Sequence, residues 1–206
     1  YRVADCSEAR GRVASLALDL RENPTVGVAV ECHFDEVRVV QLASARHCVL
    51  LDATALAHVM HELLQPLMMD HQVSKVFHDH DNVVLRLLHT FEIFMPPDQF
   101  LDLANYARDF TGAWDWQPCL QFLCEAYLHD DLDESYKAAD WSVRPLSADM
   151  LECAAIDAQL LLRLKDECAV WESRSCPDLS SDCPERQARL KKVTFPMALF
   201  EIMSIY

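Results

Sequence analysis

Apolar residues in the first quarter of the chain follow the pattern of β-strands. Residues 24–34 form a nearly continuous, β-branched apolar run, which is typical of a central strand buried on both faces. Shorter apolar runs at residues 37–43 and 48–51 follow at hairpin-like spacing. The pattern therefore predicts a three-stranded meander.

From residue 56 onwards the apolar spacing changes to that of helices. Apolar side chains recur at i, i+3, i+4 and i+7, which predicts an α-helix with one buried stripe, at Leu56, Val59, Met60, Leu63, Leu64, Leu67 and Met68. Residues 73–78 then predict a short fourth strand, and apolar positions between Val83 and Phe91 predict the next helix.

The second half of the chain predicts three further helices. A Pro-Pro pair at residues 96–97 stops the preceding segment, and Asp98 is expected to cap a helix whose apolar face begins at Phe100. Another helix is predicted from about Gln117, and a long one follows the Pro-Leu-Ser start at residues 145–147.

Polar segments indicate how the chain is organised. Residues 129–140 form an acidic loop, and residues 173–187 have the composition of a linker. A meander followed by strands alternating with helices predicts an α/β domain with a mixed sheet flanked by helices. We expect an N-terminal extension over residues 1–23, one domain over residues 24–168, and a linker with a short C-terminal segment over residues 169–206.

Composition agrees with one folded domain. The chain has 206 residues, 51% of them apolar, so it can bury a substantial core and lies outside the range of disordered sequences. Only three glycines occur, and neither of the phosphate-binding loops GxGxxG and GKS/GKT is present. No apolar run reaches the roughly 18 residues of a membrane-spanning helix, so we expect no membrane association.

Charge and cysteine usage exclude further classes. The formal net charge is −15, whereas proteins that bind nucleic acids mainly through phosphates present a basic face. The nine cysteines include no CxxC pair, and several lie within apolar patterns, where a free thiol behaves as a small hydrophobic side chain. We therefore expect no disulfide framework, no zinc site, and an intracellular, reducing compartment.

One motif resembles a known family. Residues 140–146 read DWSVRPL, and a helical pattern follows in which Asp157 interrupts the apolar stripe. This segment resembles the RNase D branch of the DEDD 3′–5′ exonucleases, in particular the exonuclease associated with the nuclear exosome. The KVFH sequence at residues 75–78 and Tyr136, five residues before Trp141, also match that family. The resemblance covers residues 24–168 and implies an RNase H-like fold.

The resemblance also implies a site made of four carboxylates and a tyrosine. In that family two Mg²⁺ or Mn²⁺ ions about 4 Å apart clamp the attacking and leaving oxygens during phosphodiester hydrolysis. The corresponding positions of this chain are Ala29, Glu31, Val83, Cys153 and Asp157. Only two of them carry a carboxylate, and hard cations require oxygen ligands. We therefore expect a degenerate site with no catalytic residue, no metal ion and no cofactor.

Nearby aspartates are not expected to replace the missing ligands. Asp81 precedes Val83 by two residues, which places it about 200° around a helix. Asp35 would lie roughly 13 Å along an extended strand from Glu31. Neither replaces Ala29, whose side chain shares a strand face with Glu31.

Structural explanations stand beside the functional ones. Glu31 and Asp157 are either remnants of a metal site or partly buried acids with amide or basic partners. The sequence HDHD at residues 78–81 is either a metal cluster or a strand-end histidine followed by acids in a first helical turn. His58 and His61 are expected on the surface of an amphipathic helix.

Four residues are candidate contacts for RNA or a protein partner: His78, Tyr136, Trp141 and Arg144. Trp141 has the alternative interpretation of a core anchor. The apolar C-terminal stretch, residues 193–206, is a further candidate surface for a partner protein.

Three functions remain open at this point. The first is a catalytically inactive exonuclease-like domain that is a structural or regulatory subunit of an RNA-processing assembly and binds its protein subunits. The second is a non-catalytic module that binds single-stranded RNA weakly in the former cleft, and the third is a residual metal-dependent 3′–5′ exoribonuclease. The resemblance favours the nucleus. A mitochondrial location is the alternative, because the chain begins at Tyr1 and we expect it to be trimmed, so that a targeting peptide would not be visible.

Overall fold

A mixed β-sheet lies at the centre of the protein. The computed structural model describes residues 6–96, 99–111, 117–130, 132, 136–174 and 201–205. In this part of the chain the strands are β1 (Thr25–His33), β2 (Glu36–Ala43), β3 (His47–Asp52), β4 (Ser74–Phe77), β5 (Phe100–Asp102) and β6 (Glu201–Ile205), in the order β5-β4-β1-β2-β3-β6. β1, β2 and β3 pair antiparallel, whereas β4, β5 and β6 each pair parallel with a neighbour. The predicted meander and the mixed α/β sheet are confirmed.

Helices cover both faces of the sheet. They are α1 (Cys6–Asp19), α2 (Met60–Met69), α3 (His80–Phe91), α4 (Leu103–Thr111), α5 (Leu120–Leu123), a π-helical turn (Cys124–Leu128) and α6 (Ala148–Arg174). Side chains of β2 alternate between the two layers: Val40 packs in a cluster with Leu16 of α1 and Leu64 of α2, whereas Val39 packs with Ala154 of α6. Among the described residues, no helix combines the length and the apolar character needed to span a membrane.

The predicted start of the helix near Phe100 is wrong. Phe100 pairs with Lys75 of β4, so residues 100–102 extend the sheet, and α4 begins only at Leu103. The buried Asp102 carboxylate accepts hydrogen bonds from the backbone N–H of Ala104 at 2.9 Å and of His80 at 3.1 Å. One carboxylate therefore caps the first turns of both α4 and α3. The predicted cap, Asp98, lies outside the described residues.

Elements on either side of residues 24–168 also pack onto the sheet. α1 buries Ala9 and Leu16 against the sheet, because its apolar face covers the cluster beneath β3 and α2. α6 continues to Arg174, and residues 201–205 add β6 to the edge of β3. Part of the C-terminal stretch expected to bind a partner is therefore paired within the sheet.

Several predicted features lie outside the described residues. They are most of the linker at residues 173–187, residues 131 and 133–135 of the acidic loop at residues 129–140, and residues 193–200 of the C-terminal stretch.

α6 crosses β1 at very short range. A Cβ atom placed on Gly27 would lie 2.3 Å from the backbone oxygen of Ala158 and 3.4 Å from its carbonyl carbon. Both partners are backbone, so a side-chain rotation cannot relieve the contact. Gly27 thereby fixes the helix that carries Asp157 directly on the strand that carries Glu31.

Replacing Gly27 by alanine should therefore destabilise the protein. We expect Gly27→Ala to lower the free energy of unfolding by about 1–3 kcal/mol, measured by urea denaturation, because helix and strand must separate.

Gly11→Ala is the matched control, since a Cβ on Gly11 of α1 would meet no atom within 4 Å. Alanine is the better helix former by about 1 kcal/mol, so this variant should be as stable as the parent or more so. Equal destabilisation by both variants would contradict the proposed close contact.

Candidate functional site at the carboxyl-terminal end of the first strand

The two carboxylates singled out by the sequence lie side by side. Glu31 is in the second half of β1, and Asp157 is a buried residue of α6, 9% exposed. Burial, followed by the negative charge of Asp157, raises the pKa of Glu31 to about 7, while a hydrogen bond from Gln41 and the charge of Lys137 act in the opposite direction. The site therefore contains a coupled pair of acids in a poorly solvated position.

Gln41 is a site residue that the sequence interpretation missed. It lies on β2 directly opposite Ala29, so the two side chains share one face of the sheet. The fully buried Gln41 amide donates a hydrogen bond from Nε2 to Glu31 Oε1 at 3.1 Å. The signal in the sequence was an uncharged polar residue within the apolar run 37–43, whose other polar residue is Arg38.

Lys137 is the second missed residue. It follows Tyr136 in the segment before α6, and its positive charge lowers the pKa values of both Glu31 and Cys124 against the dominant effect of burial. A cationic side chain thus contributes to the electrostatics of the acid pair. Sequence reasoning treated the surrounding segment only as a polar loop.

The other positions of the family site carry no hard-metal ligand. Val83, 8% exposed, packs into the core beneath α3. Cys153 is half-buried on α6 and lines a cavity of about 420 Å³ together with Tyr136, Asp149 and Glu152. Within the described part of the chain, no three His, Cys, Asp or Glu side chains are placed to hold a metal ion. The side chains at residues 29, 83 and 153 offer no carboxylate oxygen to a hard cation.

The neighbouring aspartates have other partners. Asp35 is fully exposed and forms an ion pair with Arg86 at 3.6 Å. Asp81 is also exposed and contacts His80 Nδ1 at 3.0 Å. Asp79 adopts a left-handed backbone conformation, and its carboxylate accepts hydrogen bonds from Asn82 and Gln117.

Two of the candidate contact residues, His78 and Tyr136, make polar contacts within the fold. The His78 ring nitrogen Nε2 is 2.8 Å from the backbone oxygen of Pro118. The Tyr136 hydroxyl donates to Asp149 Oδ2 at 2.9 Å. Both side chains are partly exposed, and their contact with RNA or a partner stays a prediction.

Trp141 and Arg144, the other two candidate contacts, are both engaged within the fold. Trp141 is 1% exposed and packs in the core with Leu50 and Ala154, which matches its alternative assignment as a core anchor. Arg144 makes five hydrogen bonds, two to the Asp52 carboxylate and three to the backbone oxygens of residues 38, 141 and 143. A guanidinium has five N–H donors, so none is left for a phosphate.

The Arg144–Asp52 ion pair joins the segment before α6 to β3. Its N–O distance is 2.6 Å, and the side chains are 19% and 6% exposed. Burial alone would raise the pKa of Asp52, but the hydrogen bond and charge of Arg144, together with hydrogen bonds from the Ala55 and Thr54 backbone, lower it. The pair is therefore a structural clamp.

Comparison with known proteins supports the same fold. A family model described as 3′–5′ exonuclease matches residues 11–169. Protein RRP6-like 3 of Arabidopsis thaliana is 30% identical over 128 residues, which are 62% of this chain and 14% of that protein. Exosome complex component 10 of Homo sapiens is 26% identical over 140 residues, which are 65% of this chain and 15% of that protein. The chain thus spans about one seventh of the length of these relatives.

Solved structures agree. The catalytic core of RRP6 from Trypanosoma brucei superimposes with a TM-score of 0.69 at 22% identity, covering 87% of this chain and 49% of that one. Escherichia coli RNase D superimposes with a TM-score of 0.67 at 23% identity, covering 88% of this chain and 49% of that one. Both share the RNase H-like α/β architecture, which confirms the predicted fold.

Removing the cation of the clamp should be costly. We expect Arg144→Met to lower the free energy of unfolding at pH 7 by about 3–5 kcal/mol, because Asp52 would remain buried and charged with no cation beside it and only the backbone N–H groups of Thr54 and Ala55 as partners. Arg10→Met is the control, since the Arg10–Glu62 pair has the same chemistry but is exposed, and its loss should have a much smaller effect.

The effect of Arg144→Met should also depend on pH. Because the folded-state pKa of Asp52 is lowered, its stabilisation is present above the unfolded value of about 3.9 and is lost as the pH falls through the folded value. The difference between parent and variant should therefore shrink below about pH 4. A difference that is constant from pH 7 to pH 3 would contradict the clamp.

Glu31 should produce the opposite pH dependence. Its folded-state pKa of about 7 is raised, so the associated stability is present below the unfolded value and is lost as the pH rises through 7. In EDTA, we expect Glu31→Gln to be more stable than the parent at pH 8 and to lose this dependence, as measured by thermal unfolding between pH 5 and pH 8. Asp81→Asn, at an exposed acid, should retain the parental profile.

Proposed function

Since the chain belongs to the 3′–5′ exonuclease family, with a domain of RNase D and Rrp6 type, we propose that it is an exonuclease-like domain that no longer hydrolyses RNA. In this proposal it serves as a structural or regulatory protein subunit of an RNA-processing assembly. The single observation that carries the proposal is the composition of the Glu31–Asp157 site, where Ala29 and Val83 stand in place of carboxylates.

Hydrolysis through two metal ions depends on both missing groups. The ions must be held close together by shared oxygen ligands if they are to stabilise the attacking and leaving oxygens. The methyl group of Ala29 and the buried side chain of Val83 supply no oxygen, and the Cys153 thiol is a softer donor than Mg²⁺ or Mn²⁺ prefers. Glu31 and Asp157 alone leave most of the required coordination unfilled.

Two other polar side chains, Gln41 and Lys137, interact with Glu31 of the acid pair. Gln41 donates to Glu31, and the charge of Lys137 opposes the rise in the pKa of Glu31. These contacts support the acids as parts of a folded protein without a bound cation. They favour retention of the fold over retention of the reaction.

Charge favours a protein partner over RNA. The net charge of −15 repels phosphates. Arg144, the cation of the DWSVRPL motif, uses all of its N–H donors for hydrogen bonds within the fold. The human relative is named as a component of the exosome complex, which suggests the class of assembly. On this basis we propose a nuclear assembly, with a mitochondrial one as the alternative.

A degradation assay with a restored variant tests the proposal. We expect the parent protein to leave a 5′-labelled single-stranded RNA intact in the presence of Mg²⁺ or Mn²⁺, and to show no Mn²⁺ binding by calorimetry. Ala29→Asp should gain measurable Mn²⁺ affinity, because it places a carboxylate on the strand face of Glu31.

Two other outcomes have definite meanings. Shortening of the RNA from its 3′ end by the parent, abolished by Asp157→Asn, would overturn the proposal. Salt-dependent retention of intact RNA would instead identify the protein as a non-catalytic RNA-binding module.

A further inference from the structure

A thiol and an imidazole meet on the surface, on the opposite side of the sheet from the acid pair. Cys6 is the first residue of α1, and His58 lies just before α2. The Cys6 Sγ and His58 Nε2 atoms are 3.4 Å apart, with the thiol half-buried and the imidazole exposed. The imidazole nitrogen is in position to accept the thiol proton.

An exposed ion pair lies four residues further along both segments. Arg10 and Glu62 follow Cys6 and His58 by four residues each, and the Arg10 Nη2 atom lies 3.1 and 3.0 Å from the two Glu62 carboxylate oxygens. The hydrogen bond and charge of Glu62 raise the pKa of Arg10, and the charge of the Cys6 thiolate adds to this effect. The guanidinium is therefore within electrostatic reach of the sulfur.

These surroundings are those of a nucleophilic cysteine. The thiolate is the reactive form, and a neighbouring proton acceptor and a nearby cation both favour its formation. We propose that Cys6 is a modification site that undergoes exchange with low-molecular-weight disulfides such as glutathione disulfide. His58 is the proton acceptor and Arg10 is a positioning residue that also stabilises the anion.

The reaction is a redox-neutral exchange. His58 takes the proton of Cys6, and the thiolate attacks one sulfur of glutathione disulfide. The bond between the two glutathione sulfurs breaks as the Cys6–glutathione disulfide forms. The departing glutathione thiolate then takes up the proton from His58, so that one thiol and one disulfide are present before and after.

The other described cysteines provide internal standards. Burial raises the pKa values of Cys48 and Cys124 to about 12, and both should be unreactive in the folded protein. Cys119 is exposed, and it contacts no basic side chain among the residues that the structure describes. It therefore reports the reactivity of an ordinary surface thiol.

Site-resolved labelling tests the proposal. The full chain is treated with a limiting amount of glutathione disulfide at pH 7, and modification of each cysteine is followed by peptide mass spectrometry. We expect Cys6 to react about tenfold faster than Cys119, and His58→Gln to bring the two rates within about threefold of each other.

Each alternative result is decisive. Equal rates at Cys6 and Cys119 in the parent, or an unchanged Cys6 rate in His58→Gln, would overturn the proposal. Continued protection of Cys48 and Cys124 shows that a variant is folded, because unfolding would expose both thiols. If His58→Gln fails this check, Arg10→Gln replaces it, with a slower Cys6 reaction expected and an unchanged rate contradicting the proposal.

Discussion

The backbone contact between Gly27 and Ala158 determines the geometry on which the rest of the site depends. A helix can approach a strand this closely only where the strand has no Cβ, and the approach places Asp157 beside Glu31. Nothing in this contact requires a carboxylate at residue 29 or 83. The packing of helix on strand in this 3′–5′ exonuclease domain therefore does not depend on the side chains at these two positions.

Much of the fold followed from the periodicity of apolar residues. The meander, β4, α3 and α6 were predicted because each has an apolar pattern that only one kind of element can bury. The strand at Phe100 was missed because three residues carry no periodicity, and pairing with β4 decides their conformation. α1 was assigned to an extension because its weakly apolar sequence does not reveal that Leu16 is fully buried.

The site was predictable only in part. Glu31 and Asp157 were located through motif spacing, which a strand and a helix preserve. Gln41 was not predicted because its role depends on its cross-strand register with Ala29. Lys137 was not predicted because its role depends on the path of a loop. Arg144 was assigned to a partner surface because a sequence shows a charge but does not show that Asp52 neutralises it.

The Arg144 clamp also has a consequence for local motion. Its guanidinium binds the backbone oxygen of Arg38 on β2, the carboxylate of Asp52 on β3 and the backbone oxygen of Trp141 in the loop before α6. The loop cannot open without breaking contacts to two central strands, so its fluctuations are linked to those of the sheet. Hydrogen exchange at the backbone around Trp141 should therefore occur through global unfolding and be as slow as exchange in the core.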